Sequence, residues 1–425
     1  MKRERKNRSG FYKGLALGAA LSLGGAVLAG CVTNYVPRHA AGEAAAESES
    51  GTLEDINLDD RYGEVKDKLD DIQSMIDRYY IGDENVTEDD MVEGIYKGYV
   101  DALGEPYTTY YSKKEYDALK QSASGKYSGI GVVVSQDVKT GQITVIRPFE
   151  GSPGEEAGIK KDDILYKVDG KTVTGEDINE VVSWIKGEEG SSVEIEVYRP
   201  SEKSYKSFDV KRKTIEIPMV TYKMLDNKIG YIEIAEFEDT TYDQFSKAVD
   251  DLTSQGMEGM VLDLRDNPGG QLDAGQKVLD RILPKDKLLV YTVDKQGKKD
   301  ELYSEDDDKI DVPMAVLINN NSASCSEIVS GCLQDYGRAV LVGTTSFGKG
   351  IVQYVIPMGD GSAMKMTSAK YYTPNGRNIH GTGIDPDVEA ELPEEAAAQS
   401  DDGEQAQDTQ LEKAEEAVLQ QMKDK

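Results

Sequence analysis

The chain has 425 residues and a formal net charge of −30, with 49 Lys and Arg against 79 Asp and Glu. Its only histidines are His39 and His380, and its three cysteines are Cys31, Cys325 and Cys332. This scarcity excludes a clustered Cys/His zinc site and a two-histidine zinc-protease motif, so we expect no metal. The acidity argues against a nucleic-acid partner, because nucleic acids attract clustered positive charge. The length predicts a globular protein of two or three domains.

Residues 1–36 depart from the acidic average. Six basic residues and one acidic residue precede Gly14, and an uncharged, mostly apolar run then continues to Val36. This order is typical of an export signal. The stretch Leu28-Ala29-Gly30-Cys31 resembles a bacterial lipobox, in which Cys31 is lipidated after cleavage. The alternative is an uncleaved anchor, since the run is about long enough to span a bilayer. Both predict tethering at the extracytoplasmic face of a bacterial cell membrane.

The next segments differ in composition and periodicity. Residues 37–61 are small and acidic without apolar periodicity, which predicts a linker. Residues 62–126 place apolar side chains at helical spacing and predict two or three helices. Residues 127–217 contain short β-type runs between Gly and Asp turns, with one helix over 178–186. This region is predicted to be a separate, small, β-rich domain.

Residues 218–392 alternate between strand and helix patterns, which predicts an α/β core. The predicted strands are 229–234, 259–264, 288–293, 314–318 and 339–342. The predicted helices are 242–255, 273–283 and 324–336. Residues 393–425 form an acidic tail with a last helix predicted over 411–422.

A glycine-containing phrase opens the β-rich domain. Ser128-Gly129-Ile130-Gly131-Val132 precedes a predicted strand, and the turns 151–159 and Asp169-Gly170 follow it. This order resembles a PDZ domain. Bare amide N–H groups at the glycines can bind a carboxylate, and the adjoining strand edge can pair with an extended peptide. The predicted site for a peptide C-terminus is therefore Gly129, Ile130, Gly131 and Val132. The alternative is that the glycines only form a turn or bulge.

Two segments of the α/β core can stabilise an oxyanion. Residues 263–270 read D-L-R-D-N-P-G-G, a strand end followed by a turn whose backbone N–H groups can face developing negative charge. Residues 319–328 read N-N-N-S-A-S-C-S-E-I and lead from a strand into a helix, near the positive end of the helix dipole. The alternatives are an ordinary strand-to-helix turn in the first segment and helix capping by Ser322 or Ser324 in the second.

A third segment, residues 343–353, almost matches a phosphate-binding loop. Gly350 replaces the hydroxyl residue that G-x-x-x-x-G-K-[ST] requires, and β-branched residues follow where a helix should begin. We therefore interpret Lys349 as a general base. A base must be a neutral amine, so its pKa has to fall from about 10.4 towards about 7 or 8. Burial can cause this fall, and Phe347, Ile351 and Val352 are the expected apolar neighbours.

Together these motifs resemble the carboxy-terminal processing peptidases, also called tail-specific proteases, from about Leu69 to Pro386. The resemblance implies an α/β core of crotonase-like or Clp-protease-like fold, with N-terminal helices and an inserted PDZ domain. It also implies a Ser-Lys dyad in which Ser324 is the nucleophile, Lys349 is the base and Gln353 orients the lysine.

The resemblance also assigns the remaining site residues. The oxyanion hole is implied at the amides of Gly269, Gly270 and Cys325, although the family usually has alanine at the position of Cys325. Asp335 matches an acidic family position and is expected to support the structure. A cysteine nucleophile at 325 would need a histidine partner, and His380 lies in a predicted loop, so we expect a surface or packing role for His380.

The predicted function is that of an extracytoplasmic serine endopeptidase, tethered to the membrane by its N-terminal segment. It would bind protein substrates by their C-terminus through the PDZ domain and cleave near that end, with no cofactor. The family resemblance also allows a homodimer. The alternative is a catalytically inactive PDZ scaffold that binds protein C-termini on a degenerate hydrolase core.

Overall fold

The computed structural model describes residues 32–33, 58–82, 86–307, 309–392 and 408–424. Apart from Val32 and Thr33, the predicted export segment 1–36 lies outside the described residues, as do the linker up to residue 57 and the tail over 393–407. Their assignments, including that of Cys31, therefore stay predictions. The last four residues of the predicted linker, 58–61, are helical instead. Among the helices that the structure describes, none combines the length and the apolar character that a bilayer crossing requires.

The chain divides into two compact units, one over Tyr35–Tyr110 and one formed by Met1–Asn34 and Tyr111–Lys425. The smaller unit contains helices α1 (Leu58–Tyr79) and α2 (Glu88–Asp101). A reciprocal capping box fixes the start of α2, because the Asp90 amide donates to the Thr87 hydroxyl and the Thr87 amide donates to the Asp90 carboxylate. Helix α3 (Lys113–Ala123) belongs to the larger unit.

The β-rich domain of the larger unit is an antiparallel sheet with two short helices. Strands β1 (Val32–Thr33) and β2 (Thr109–Tyr111) precede this domain, whose elements are β3 (Lys126–Gly129), β4 (Val132–Gln136), β5 (Ile143–Pro148), α4 (Pro153–Ala157), β6 (Ile164–Val168), β7 (Lys171–Thr172), α5 (Ile178–Ile185), β8 (Ser192–Arg199), β9 (Ser204–Lys211) and β10 (Lys213–Glu216). The sheet has the order β4-β5-β6-β8-β9, so β4 is an edge strand, and β3 pairs separately with β10. Alternate residues of β8 point into the core, with Val193, Ile195 and Val197 buried.

The remaining elements form the α/β core. In chain order they are β11 (Val220–Met224), β12 (Ile229–Ile234), α6 (Thr241–Ser254), β13 (Gly259–Asp263), α7 (Leu272–Asp280), β14 (Leu288–Asp294), β15 (Lys299–Tyr303), β16 (Met314–Ile318), α8 (Cys325–Asp335), β17 (Val340–Gly343), β18 (Ile351–Pro357), β19 (Ala363–Tyr372), β20 (Val388–Glu389) and α9 (Thr409–Asp424). The strands predicted over 229–234 and 314–318 are confirmed at the same bounds.

The main sheet has the order β11-β12-β13-β16-β17-β20 and is parallel from β12 to β20. Helices α6, α7 and α8 share one buried apolar cluster with one face of this sheet, and α9 covers the other face. Strands β13 and β16 are neighbours and are wholly buried, which explains their continuous apolar sequences. The loops after their carboxyl ends therefore meet at one edge, where α/β sheets bind ligands.

A second sheet was not predicted. It has the order β1-β18-β19-β14-β15, in which β14, β15, β18 and β19 pair antiparallel. Its strand β18 begins two residues after Lys349 and carries Gln353. The strand packs near helix α8, since Val352 shares a buried apolar cluster with residues of α8.

The loop between β12 and α6 contains a buried carboxyl group, that of Glu238, which is 5 % exposed. Burial, reinforced by the neighbouring Glu236 carboxyl, raises the pKa of Glu238 to about 8. A proton is therefore bound more tightly in the folded chain than in the unfolded one. The neutral form stabilises the fold fully below the unfolded pKa near 4.5, and this contribution is lost as the pH rises through the folded pKa.

Glu238→Gln should therefore flatten the pH dependence of stability. The wild-type free energy of unfolding should fall relative to the variant between pH 5 and pH 8, by at most about 1.4 kcal/mol per pH unit, because one proton is released on unfolding. Urea denaturation followed by circular dichroism at a series of pH values measures this difference. Parallel pH profiles of the two proteins would contradict the assignment of Glu238 as a buried neutral acid.

Candidate active site

Ser324 lies at the junction between the loop after β16 and helix α8. It is fully buried, and its backbone has a φ of 56°, in the left-handed region that non-glycine residues rarely occupy. Such a conformation costs about 1 to 3 kcal/mol and persists only where surrounding contacts impose it. The Ser324 carbonyl accepts hydrogen bonds from the Ile328 amide at 2.9 Å and the Tyr371 hydroxyl at 3.2 Å.

Lys349 lies in the loop between β17 and β18 and is 2 % exposed. Removing an ammonium group from water disfavours its charged form. Ile351 and Val352 are buried beside it, as expected from the sequence, but Phe347 is 49 % exposed. The expectation that Phe347 is an apolar neighbour of the lysine stays a prediction. Two glycines flank Lys349, and Gly348 has a positive φ of 89°, so the turn needs a residue without a side chain there.

Glu327 joins the serine and lysine segments. Its Oε2 accepts the amide of Ser324 at 2.8 Å and the amide of Lys349 at 2.8 Å. Two such bonds to one oxygen limit the separation of the two amide nitrogens to twice that distance. Its Oε1 accepts the Ser346 hydroxyl at 2.5 Å and the Gly348 amide at 2.7 Å. One carboxylate therefore fixes the main chain of both predicted catalytic residues.

The side chain of Glu327 is fully buried. Burial raises the pKa of this carboxyl, and the four donors oppose that effect because they favour the ionised form. No role was predicted for Glu327 from the sequence. A signal was present, because a serine at a helix start with a glutamate three residues later is the pattern of a capping box. That pattern predicts that the Ser324 amide donates to the Glu327 carboxylate.

The turn after β13 lies against the serine. A side chain on Gly269 would place its Cβ 2.8 Å from the Ser324 Cβ and 3.0 Å from the Cys325 amide nitrogen, so only glycine fits. The Gly269 amide donates to Asn267 Oδ1 at 2.9 Å. The sequence-based assignment named both glycines, but this bond occupies the Gly269 amide. Of the two glycine amides, that of Gly270 is therefore the better candidate for an oxyanion hole, and the Cys325 amide keeps the assignment implied by the family resemblance.

Cys325 and Gln353 are both fully buried at this site. The Cys325 thiol donates to the Gln271 carbonyl at 3.4 Å. The side-chain nitrogen of Gln353 donates to the Thr367 hydroxyl at 3.3 Å, and its Oε1 has no hydrogen-bond partner among the described residues. A buried acceptor without a donor is costly, so the Oε1 of Gln353 is available to a donor in the site.

Asp335 is the last residue of α8, and His380 lies in the loop after β19. The Asp335 carboxylate accepts the Asn375 amide at 2.8 Å and pairs with Arg377, so it holds the start of the loop after β19. That loop continues to Gly381, whose amide donates to the Gly348 carbonyl at 2.8 Å, next to Lys349. The His380 side chain is exposed. These positions agree with the supporting role expected for Asp335 and the surface role expected for His380.

The β-rich domain has a groove between strand β4 and helix α5. Val132 and Val134 line it from β4, and Val182 and Ile185 line it from α5. The remaining lining residues are Tyr127, Ile130, Gly131 and Lys186. Of the predicted site for a peptide C-terminus, Ile130, Gly131 and Val132 therefore line the groove, and Gly129 is the last residue of β3.

Lys186 is the cation of this groove. Burial lowers the pKa of its ammonium group, which lies 5.3 Å from the centre of the Tyr127 ring. Burial also raises the pKa of Tyr127 to about 12, and a hydrogen bond from the Gly131 amide partly opposes that rise. The groove thus combines an apolar floor, a strand edge and one partly desolvated positive charge.

Comparison with known proteins identifies both parts of the chain. Residues 228–390 match the model of peptidase family S41, and residues 144–199 match that of a PDZ domain. The chain is 34% identical over 387 residues to the carboxy-terminal processing protease CtpB of Bacillus subtilis (strain 168), covering 89% of this chain and 77% of that protein. It is 37% identical over 330 residues to CtpA of the same organism, covering 78% and 70%.

Among solved structures, the photosystem II D1 C-terminal processing protease is similar, with 30% sequence identity and a TM-score of 0.44, over 75% of this chain and 86% of that chain. The mixed α/β core is consistent with the crotonase-like fold expected from the sequence. The chain therefore belongs to the carboxy-terminal processing proteases of peptidase family S41, and it is a serine-type peptidase with a PDZ domain.

Proposed function

We propose that this protease cleaves protein substrates near their C-terminus with a Ser324-Lys349 dyad, after its PDZ domain has bound that C-terminus. The observation that carries the dyad is the Glu327 carboxylate, which holds the amides of both residues on one oxygen. The burial of both residues supports chemistry in a site from which water is largely excluded.

In the proposed mechanism, the neutral amine of Lys349 takes the hydroxyl proton of Ser324 as the Ser324 oxygen attacks the substrate carbonyl carbon. The amides of Gly270 and Cys325 stabilise the resulting oxyanion. The ammonium of Lys349 then returns the proton to the leaving amine as the C–N bond breaks. Water attacks the acyl-enzyme in the same way and releases the new C-terminus. Gln353 orients Lys349 through its available Oε1.

The PDZ groove supports recognition of a free C-terminus. Strand β4 is an edge strand with open backbone groups, which can pair with an extended peptide. The apolar groove residues suit an apolar terminal side chain, and Lys186 supplies a positive charge for the terminal carboxylate. A desolvated charge pair of this kind contributes more than a solvent-exposed pair.

Lys186→Met should weaken binding of a tailed substrate. We expect KM to rise about tenfold, which corresponds to about 1.4 kcal/mol, because the methionine keeps the apolar stem but removes the charge. Lys171→Met is the matched control, since Lys171 is an exposed lysine of the same domain. With the wild-type protein, an amidated substrate should show the same raised KM as the free-acid substrate shows with Lys186→Met. The substitution should not raise the KM of the amidated substrate further. Equal KM values for the free-acid and amidated substrates would contradict C-terminus recognition.

The location rests on the N-terminal sequence. We place the protease at the extracytoplasmic face of a bacterial membrane, held by a lipidated Cys31 or by an uncleaved anchor. Labelling of cells with a radioactive fatty acid distinguishes the two, because only a lipoprotein takes up the label. Cys31→Ala should then abolish the labelling, whereas an uncleaved anchor is unlabelled with or without the substitution.

A homodimer is a further proposal, which light scattering tests. The inactive-scaffold alternative is not favoured, since the chain retains Ser324 and Lys349 together with a peptidase family match.

A further inference from the structure

Two connectors join the PDZ domain to the α/β core. The first runs from the last residue of α3, Ala123, through Ser124 and Gly125 to β3, and the second is the segment 217–219 between β10 and β11. The two lie side by side, because the Ile217 amide donates to the Gly125 carbonyl at 2.9 Å. These connectors are the two covalent links between the PDZ domain and the core.

The first connector contacts the loop between β12 and α6. The Asp239 amide donates to the Ala123 carbonyl at 3.1 Å, at the end of α3. Gly125 has a φ of 61°, and a side chain there would place its Cβ 2.4 Å from the Thr240 hydroxyl. Only a glycine therefore lets the connector lie this close to the loop. The same loop bonds the turn after β13, since the Phe237 amide donates to the Gly269 carbonyl at 2.8 Å.

Gln271 bonds to the first connector, to the loop between β12 and α6, and to the first residue of α8. It follows Gly270 directly and is 6 % exposed. Its side-chain nitrogen donates to the Ala123 carbonyl at 2.6 Å, and its amide donates to the Phe237 carbonyl at 2.6 Å. Its carbonyl accepts the Cys325 thiol at 3.4 Å. Gln271 is thus next to Gly270, one candidate oxyanion donor, and is bonded to the PDZ connector. It is also bonded to Cys325, which carries the other candidate donor.

We propose that Gln271 is a positioning residue, which anchors the turn after β13 to Ala123 and so holds the amide of Gly270 in place. Through this contact, the position of the PDZ connector is transmitted to the oxyanion hole. The proposal rests on the proposed function, because it uses the assignment of Gly270 as an oxyanion donor. The Gln271 side chain need not touch the substrate. Its effect on catalysis passes through the backbone of its neighbour Gly270.

The test uses Gln271→Met, which keeps the length of the side chain and removes its donor. The Ala123 carbonyl still accepts the Asp239 amide, so no buried carbonyl is left without a partner. The rate of Ser324 labelling by a fluorophosphonate probe is measured with and without a saturating peptide that has a free apolar C-terminus. We expect the peptide to change the wild-type labelling rate by about fivefold, a usual size for coupling between two sites.

In Gln271→Met the peptide should bind with the wild-type Kd but should no longer change the labelling rate, and kcat for a tailed substrate should fall about tenfold with KM unchanged. Gln271→Asn keeps the amide but is one methylene too short to reach Ala123, so it should behave like Gln271→Met. It also provides the measurement if Gln271→Met fails to fold.

Gln244→Met is the matched control. Gln244 ties the second connector to α6, since its side chain accepts the Met219 amide at 2.8 Å and donates to the Ile217 carbonyl at 2.9 Å. It should keep the response of labelling to the peptide. The proposal is overturned if the peptide does not affect wild-type labelling, if Gln271→Met keeps the response, or if Gln244→Met loses it equally. Failure of the probe to label wild-type Ser324 would instead overturn the proposed function itself.

Discussion

Lys349→Ala should reduce kcat for cleavage of a tailed protein by about a thousandfold, and Ser324→Ala should remove the remaining chemistry. A general base of this kind contributes about 10² to 10⁴ to the rate, and the serine hydroxyl is a poor nucleophile without it. Binding of the substrate C-terminus should be unaffected, because the PDZ groove contains neither residue. Cleavage is measured by mass spectrometry of the products, and binding by fluorescence anisotropy of a tail peptide.

Three control variants separate chemistry from charge and packing. Lys349→Arg keeps a positive charge but cannot act as a base near neutral pH, so it should be as inactive as Lys349→Ala. Cys325→Ala should remain active, because the alanine keeps the backbone amide. The thiol that it removes points to the Gln271 carbonyl. His380→Ala should have wild-type activity, since His380 is exposed. Substantial cleavage by Lys349→Ala, or loss of cleavage in His380→Ala, would contradict the dyad.

Glu327→Gln should have the second largest effect. The carboxylate accepts four donors, whereas the amide offers one oxygen and places an NH₂ group against two of those donors. Hydrogen bonds to a charged group contribute about 1.5 to 3 kcal/mol each. A loss of about 3 kcal/mol in the positioning of Ser324 and Lys349 corresponds to about a hundredfold fall in kcat. Steady-state kinetics below the unfolding temperature provide the measurement.

Ser330→Ala is the matched control for Glu327→Gln. Ser330 is also a buried polar residue of α8, but its hydroxyl donates to the Ser326 carbonyl within the helix at 2.8 Å. It should lower stability slightly and leave kcat near the wild-type value. If Glu327→Gln keeps kcat within a few-fold of wild type, then the shared carboxylate does not set the geometry of the dyad.

The four strands β12, β13, β16 and β17 of the main sheet could be predicted from the sequence because they are rich in apolar and β-branched residues, whereas the edge strands β11 and β20 were not predicted. The strands over Ile229–Ile234 and Met314–Ile318 have the predicted bounds, and the helix α5 differs from its prediction by one residue. The hairpin of β18 and β19 could not be predicted in this way. Its residues include Gln353 and Lys365, which are buried polar side chains, so the pattern of polar and apolar residues does not indicate which face is buried.

The candidate site was only partly predictable for a related reason. Ser324 and Lys349 were found through short motifs, and each motif is local in sequence. The contacts that support them are not local, since Glu327 bonds residues up to 22 positions away and Gln271 bonds a residue 148 positions away. Exposure is equally hard to predict, since Phe347 is apolar and yet 49 % exposed.

The shared Glu327 carboxylate has a consequence for the life of the chain before it is folded. Ser324 adopts its strained backbone only while the carboxylate also holds the loop of Lys349, which is made later during synthesis. A half-built or partly melted molecule therefore has neither the serine geometry nor the lysine beside it. If the proposed dyad is correct, proteolysis should begin only after the core has closed around both residues.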